Sequence, residues 1–343
     1  MYRFWLLIFL LPVAVIGETK TAEELKTYFA DAVKEHHFSG AVLVRRNDEV
    51  LLYSSYGYAD QENKTPNLIE TEFQIGSITK QFTAMAVLLL QDDGKLNVTD
   101  TIGTHVEGLP EHWQTLTIHQ LLSHTSGLPH SWAVKKFFDE VSQVKSLDET
   151  LATLHHAPLV APPGTKFQYS GTAYFLLAKL VEVKSGMSYH EFLHKRIFEP
   201  LQMVHSGGDH TPTDSPLRAK GYQVEDGALE PAVKIHVPQL TGGGDLYSSI
   251  SDLDKWSKAL TERKLLSEAG YQQMYTPVMD NYGYGWNVDE YQGSTRYYHG
   301  GSVPGFRALI VRIPSRGITY IFLANAEIQN FGQLFGDVLK ILD

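Results

Sequence analysis

Ser77-Ile78-Thr79-Lys80-Gln81-Phe82-Thr83-Ala84-Met85-Ala86-Val87-Leu88-Leu89-Leu90 opens on a few polar residues and then becomes almost wholly apolar. It reads as a helix closed by Gly94. Its apolar side chains go all round, so beyond the first turn it must be buried on every side. Residues three apart on a helix share a face, which sets the Lys80 amine beside the Ser77 hydroxyl. A cation in the first turn opposes the helix dipole. Over the next two turns only Gln81 and Thr83 are polar. Desolvation lowers the pKa of a lysine and lets it act as a base. A hydroxyl beside such an amine is a candidate nucleophile. The competing reading is a snorkelling surface lysine at a frayed helix start. A second Ser-x-x-Lys, Ser142-Gln143-Val144-Lys145, lies among polar residues and reads as a solvated helix face.

Outward from this helix the periodicity changes. Thr21 to Glu35 is helical, with Leu25, Phe29 and Val33 four apart. Ala41-Val42-Leu43-Val44 and Val50-Leu51-Leu52-Tyr53 are β-rich runs, and the polar residues between them predict a hairpin. From about Asn97 to Glu230 the signals are mostly helices joined by Pro/Gly-rich loops, His190 to Phe198 among them. After Gly242-Gly243-Gly244, Leu253 to Leu260 is helical. Strands return at Thr295–His299, Phe306–Ile313 and Gly317–Leu323, and a last helix runs from about Ile328 to Leu342. The expected fold is α/β (α+β): an antiparallel sheet assembled from both chain ends and flanked by helices, with an inserted helical domain. The implied division is a sheet domain over 18–96 and 235–343 and a helical domain over 97–234. A cleft between two such units is a favoured place for a site.

Composition narrows the function. The chain has 343 residues, is 43% apolar and carries 29 basic against 39 acidic side chains, a net −10. That acidity argues against a nucleic-acid partner. With no cysteine there is no disulfide, thiol nucleophile, thiolate zinc site or lipid-bearing thiol. Residues 1–17 read as a secretory signal: Arg3, an apolar run from Phe4 to Ile16, and small residues Val15 and Gly17 before the cleavage point. The alternative is an uncleaved anchor, but the run holds Pro12 and falls short of the ~20 residues that span a bilayer. The expectation is an exported, periplasmic or secreted protein with no stable membrane insertion after cleavage. Asn63-Lys64-Thr65 and Asn97-Val98-Thr99 are glycosylation sequons, meaningful only in a eukaryotic secretory route.

Two further segments bear on Ser77. Tyr169-Ser170-Gly171 follows a Pro/Gly-rich loop and precedes a helix. His299-Gly300-Gly301-Ser302 ends a strand, where paired glycines let a backbone come close to a ligand. Singly, each is a turn. Together and in this order they resemble the motifs of the serine penicillin-recognising hydrolases: class C β-lactamases, D-alanyl-D-alanine carboxypeptidases and related esterase-like serine hydrolases. Leu121-Leu122-Ser123-His124-Thr125-Ser126-Gly127-Leu128-Pro129, Ile197-Phe198-Glu199-Pro200-Leu201-Gln202-Met203, Tyr284-Gly285-Trp286 and Pro304-Gly305-Phe306 carry the same resemblance, which covers about residues 22 to 340.

The resemblance implies a hydrolase acting through an acyl-enzyme on an ester, amide, D-amino-acid peptide or β-lactam-like molecule. Ser77 would be the acylated nucleophile. Lys80 and Tyr169 would share the proton work, Lys80 keeping Tyr169 prone to ionise. The N–H groups of Ser77 and Ser302 would form an oxyanion hole beside Gly300 and Gly301. His299 would bind or polarise the leaving side. No metal or organic cofactor is implied, and the partner is a small molecule or short peptide. One departure is Gly171, where β-lactamases and carboxypeptidases usually have an Asn that holds the substrate's acylamino group. Its loss weakens recognition of a peptide-like amide by roughly 1–3 kcal/mol.

Two rivals stand beside this reading. Members of such a fold can lose turnover and persist as penicillin-binding or scaffold proteins. His190-Glu191-Phe192-Leu193-His194 matches the His-Glu-x-x-His zinc-peptidase pattern, against an exposed His/Glu helix face, although Ile197 and Pro200 break its extended form. Weaker candidates are Asn325, which either lines the pocket or caps a helix, and Tyr56, Tyr58 and Tyr247, which either line the cleft or pack. His124 and Ser126 read as structural.

Overall fold

The computed structural model describes residues 20–208, 215–328 and 331–343. The signal-peptide reading of residues 1–17 falls outside the described residues. Helix α1 (Lys20–His36) is followed by strands β1 (Gly40–Arg46) and β2 (Glu49–Tyr56). Strands β3 (Asn287–Tyr291), β4 (Ser294–Val303), β5 (Phe306–Ile313) and β6 (Ile318–Ala324) come from the other end of the chain. All six form one sheet in the order β3-β4-β5-β6-β1-β2. Every pair is antiparallel, and the two ends meet where Gly40 of β1 pairs with Ala324 of β6.

The central strands β1, β5 and β6 are buried along most of their length without alternation, because both faces of the sheet are covered there. Ala41, Leu43, Ala308, Ile310, Ile321 and Leu323 pack into one core with Ile78 and Phe82. Val42, Val44, Leu309, Val311, Tyr320 and Phe322 point the other way, into a core completed by α1 and the last helix, Phe331–Leu342. In α1, Leu25, Phe29 and Ala32 form the buried stripe, and Phe29 packs its ring 5.3 Å from Phe322.

The helix expected from Ser77 divides in two. Gly76–Ile78 is a 3-10 turn, and helix α2 (Thr79–Asp92) begins only after it. Gly76 has φ +50°, a left-handed conformation that glycine adopts freely, and this bends the chain into the turn. From Thr79 to Leu90 every residue of α2 is buried, as its all-round apolar pattern requires.

Other elements depart from expectation. The stretch 190–198 is a short helix, Tyr189–Leu193, running into a π-helical turn, His194–Phe198. Residues 142–145 are not helical; Lys145 pairs with Glu140 and bonds Thr153 at 3.0 Å. A helix at Glu268–Tyr275, the strand β3 and a hairpin of Tyr222–Glu225 with Ala228–Pro231 were not anticipated. The hairpin does carry a signal: Asp226-Gly227, with φ +48° and +81°, is the dipeptide that favours a tight two-residue turn.

Candidate active site

The turn at Ser77 is pinned against the sheet. A Cβ on Gly301 of β4 would stand 1.9 Å from Ile75 O and 3.2 Å from Ser77 N. One on Gly76 would stand 2.6 Å from Ser302 N. Only bare backbone fits in both places, so glycine pairs the two segments closely enough to bring the N–H groups of Ser77 and Ser302 onto neighbouring edges. Gly300 is different: the nearest atom to its Cβ position is 3.8 Å away, and the residue is exposed.

Lys80, one turn later, is 2% exposed. Its Nζ lies 3.1 Å from Ser77 Oγ and donates to Gly243 O at 2.7 Å. Burial lowers its pKa to about 7. Near neutral pH it therefore exchanges readily between amine and ammonium. The polar residues beside it on α2 are committed elsewhere: Gln81 accepts from the Trp256 indole at 3.0 Å, and Thr83 donates to Gly242 O at 2.7 Å.

Tyr169 arrives from a different segment. The His124 carbonyl accepts from Gln168 N–H at 2.7 Å, and His124 Nδ1 accepts from Ser170 N–H at 3.1 Å. These two bonds flank Tyr169 and hold its ring 4.3 Å from the His124 imidazole and 5.7 Å from His130. Ser170 then caps the helix α3 (Gly171–Ser185), accepting from Ala173 N–H at 3.1 Å. The Tyr169 phenol shares a hydrogen bond with the Ser77 side chain, while burial pushes its pKa well above the ordinary tyrosine value. The Lys80 nitrogen sits 4.8 Å from the centre of the same ring.

His299 stands apart from this group. It is buried, its Nδ1 donates to Gly300 O at 2.6 Å and its Nε2 accepts from the Tyr282 hydroxyl at 2.9 Å. Burial, with the Lys80 charge nearby, lowers its pKa to about 3, so it is a neutral imidazole with both nitrogens engaged. It supports Tyr282 and Tyr169 from behind, its ring 6.2 Å from that of Tyr169, and it does not line the cavity in front of Ser77.

That cavity measures about 450 Å³ and is lined by Ser77, Lys80, Gly171 and Ser302 among others. Where an Asn side chain would begin at residue 171, the Ser131 hydroxyl stands 2.8 Å from the Cβ position. Several lining residues gave no signal in the sequence: His130, Ser131, Trp132, Arg307 and Glu327. Arg307 pairs with Glu327 at 3.1 Å. Gly243 was legible only as part of a glycine run, because its contribution is a main-chain carbonyl that any residue type possesses.

The other candidates lie elsewhere. Asn325 is buried between chain segments, donating to Tyr58 O at 3.0 Å and Lys220 O at 2.9 Å. Tyr56 packs on Phe29 and Phe38, Tyr58 is 39% exposed, and Tyr247 lies beneath the Arg218 guanidinium at 3.6 Å. Ser126 accepts from Leu128 N–H at 3.3 Å within its own loop. His190 of the His-Glu-x-x-His match is not on an open face: its Nε2 is 2.5 Å from the buried Asp245 carboxylate. Among the described residues no group of three or more His, Asp or Glu side chains is placed to hold a metal ion.

Comparison with known proteins identifies the family and the fold. The sequence profile of the family described as Beta-lactamase matches residues 25–338. The chain is 30% identical over 333 residues to the "Putative penicillin-binding protein PbpX" of Bacillus subtilis (strain 168), covering 94% of this chain and 81% of that protein. It superposes on the penicillin binding protein from Bacillus halodurans with a TM-score of 0.82 at 27% identity, over 92% of this chain and 98% of the other. The D-amino acid amidase from Ochrobactrum anthropi SV3, in complex with D-phenylalanine, shares the fold with a TM-score of 0.81 at 24% identity, over 94% of this chain and 99% of that one.

Proposed function

This chain belongs to the Beta-lactamase family and is a serine hydrolase of it; from that premise we propose that it is exported and acts through an acyl-enzyme on Ser77. The observation that carries the proposal is the desolvated Lys80 amine 3.1 Å from Ser77 Oγ, with the Tyr169 phenol on the same hydroxyl.

Ser77 Oγ attacks the carbonyl carbon of an ester or amide, and its proton passes to the neutral Lys80 amine. A base with a pKa near the working pH is the efficient one, and Lys80 has it at about 7. The oxygen of the tetrahedral intermediate is held by the N–H groups of Ser77 and Ser302, fixed in place by the apposed glycine backbones. As the C–O or C–N bond breaks, the leaving alcohol or amine takes a proton from the Tyr169 phenol, which the Lys80 ammonium restores. This assigns Tyr169 as proton donor, because a phenol held above its ordinary pKa gives up no standing charge to act as base. Water then attacks the acyl group, returns its proton through the same pair, and Ser77 leaves as hydroxyl. His299 is assigned a supporting role behind Tyr169 and Tyr282, since its two nitrogens are engaged.

The substrate class is an ester or amide small enough for the cavity in front of Ser77, and D-amino-acid amides belong in the first screen. Gly171 removes the Asn side chain that would hold an acylamino group, which argues for esters and simple amides ahead of β-lactams. The apolar leader at residues 4–16 supports an exported chain.

The deciding experiment is labelling with a fluorophosphonate probe, read by intact mass, followed by a screen of short-chain esters, D-amino-acid amides and D-alanyl peptides. One adduct on the native chain and none on Ser77→Ala is expected. No adduct with any acylating probe would replace the enzyme with a binding protein of the same fold.

A further inference from the structure

We infer that His190 and Asp245 are positioning residues for Lys80, acting through the Gly242–Gly243 turn. The inference rests on the reading of Lys80 as the base for Ser77.

The contacts form an unbroken path. The Asp245 side chain is fully buried. Its Oδ2 accepts from His190 Nε2 at 2.5 Å, and its Oδ1 accepts from Gly242 N–H at 2.9 Å. The opposite side of the same residue is held as well: Gly242 O accepts from Thr83 Oγ1 at 2.7 Å, and that hydroxyl is 2.7 Å from the hydroxyl of Tyr189, next to His190 in sequence. Both backbone groups of Gly242 are therefore fixed, one by Asp245 and one by Thr83 of α2, and each of these partners is in turn contacted by the short helix Tyr189–Leu193. The next carbonyl along, Gly243 O, accepts from Lys80 Nζ at 2.7 Å.

The turn has no room to move by itself. Gly242 has φ +80°, and a Cβ there would stand 2.6 Å from Ala178 Cβ and 2.7 Å from Tyr174 O. At Gly243 it would meet the Phe175 ring at 2.7 Å. The turn is wedged against α3 on one side and braced by Asp245 on the other.

The chemical consequence concerns the lone pair. A neutral amine has two N–H bonds and one lone pair in tetrahedral arrangement. Committing one N–H to Gly243 O restricts rotation of the nitrogen and leaves the lone pair free to face Ser77 Oγ. If the carbonyl swings away, the amine spins about its last C–N bond and the aimed acceptor is lost. A buried carboxylate is costly unless it is paired and hydrogen-bonded. This one commits one oxygen to His190 and the other to the turn whose next carbonyl holds the base.

The groups facing Lys80 from other elements are the rings of Tyr169 and Tyr174 and the imidazoles of His124, His130 and His299, each of which interacts with its charge. None is altered by substituting His190 or Asp245. A change in the pH profile of those variants therefore reports the turn.

The test uses the full chain and a chromogenic short-chain ester. His190→Ala should lower kcat by roughly tenfold, a fraction of what loss of a whole acid–base group costs, with KM within about twofold. The acid limb of the profile should move to lower pH by roughly half a unit, because the carbonyl that favours the ammonium form is loosened. His190→Gln, whose amide can still donate to Asp245, should recover most of the rate and the profile. Asp245→Asn, keeping an acceptor for Gly242 N–H, should fall between; if it does not fold, the His190 pair decides. An unchanged kcat and acid limb in folded His190→Ala would overturn the inference. So would a rate loss that leaves the acid limb in place and is not recovered by Gln. Ser77→Ala, labelled in parallel, separates the two layers: retained labelling removes the acyl-enzyme reading itself, whereas abolished labelling with a silent His190→Ala removes only the positioning role.

Discussion

Replacing Lys80 by methionine should stabilise the protein at neutral pH while destroying its activity. The side chain is 2% exposed and its pKa falls from 10.5 to about 7 through burial. At 1.36 kcal/mol for each tenfold change in proton affinity, that fall corresponds to about 5 kcal/mol by which the folded state disfavours the ammonium form. The sign follows from linkage. Between pH 7 and 10.5 the unfolded chain binds the proton and the native chain does not, so native stability rises with pH across that window. The full cost is present below about pH 7 and has gone above 10.5. Methionine has similar length and carries no charge, so it escapes the cost but leaves Gly243 O without its donor, a loss of about 1–3 kcal/mol. Lys80→Met should therefore be more stable than the native chain by about 2–4 kcal/mol at pH 6 and less stable by about 1–3 kcal/mol near pH 10.5. Urea unfolding at a series of fixed pH values measures the difference directly, and groups common to both proteins cancel. A variant no more stable than the native chain at pH 6, or a difference independent of pH, would refute a desolvated amine at this position.

Further outcomes follow from the same contacts. Tyr169→Phe and Lys80→Ala should each lower turnover by at least ~100-fold, the scale of a lost acid–base group, and native kcat/KM should fall tenfold per pH unit below the Lys80 pKa of about 7; steady-state ester kinetics from pH 5 to 9 read both. Gly301→Ala should abolish labelling of Ser77, since its Cβ would stand 1.9 Å from Ile75 O, whereas Gly300→Ala, with 3.8 Å of clearance, should keep near-native rates. Gly171→Asn should lower ester turnover because its Cβ would stand 2.8 Å from Ser131 Oγ, and adding Ser131→Gly should restore it. Activity should survive exhaustive chelation, because the imidazole of His190 is held by Asp245; loss of activity with EDTA and its return with zinc would revive the metallopeptidase reading.

Much of this was readable from residue order because it depends on local chemistry. The apolar surround of residues 82–90 demanded burial, while the lysine at its start read either as desolvated or as snorkelling to the surface; packing decides for the first, with Lys80 2% exposed. The β-rich runs at both chain ends pointed to one sheet assembled from the two ends and flanked by helices, and the Gly40–Ala324 pairing joins them. The serine, lysine and tyrosine were distinguishable from ordinary turn and helix residues only by the order of several motifs.

What the sequence could not supply is distance between segments far apart in the chain. Its own determinations were the buried helix behind Ser77 and the strands near the two chain ends, each set by the side-chain period and the polarity of neighbours in sequence; the residues for acyl transfer came from the resemblance that several ordered motifs carry. Tertiary structure alone decided that His299 faces Tyr282 rather than the cavity, that Ser131 fills the space left by Gly171, and that the carbonyl of Gly243 holds the Lys80 amine. These are matters of direction and of main-chain atoms, which residue identity does not encode; they appear only when packing brings separate backbones within a hydrogen bond of one another.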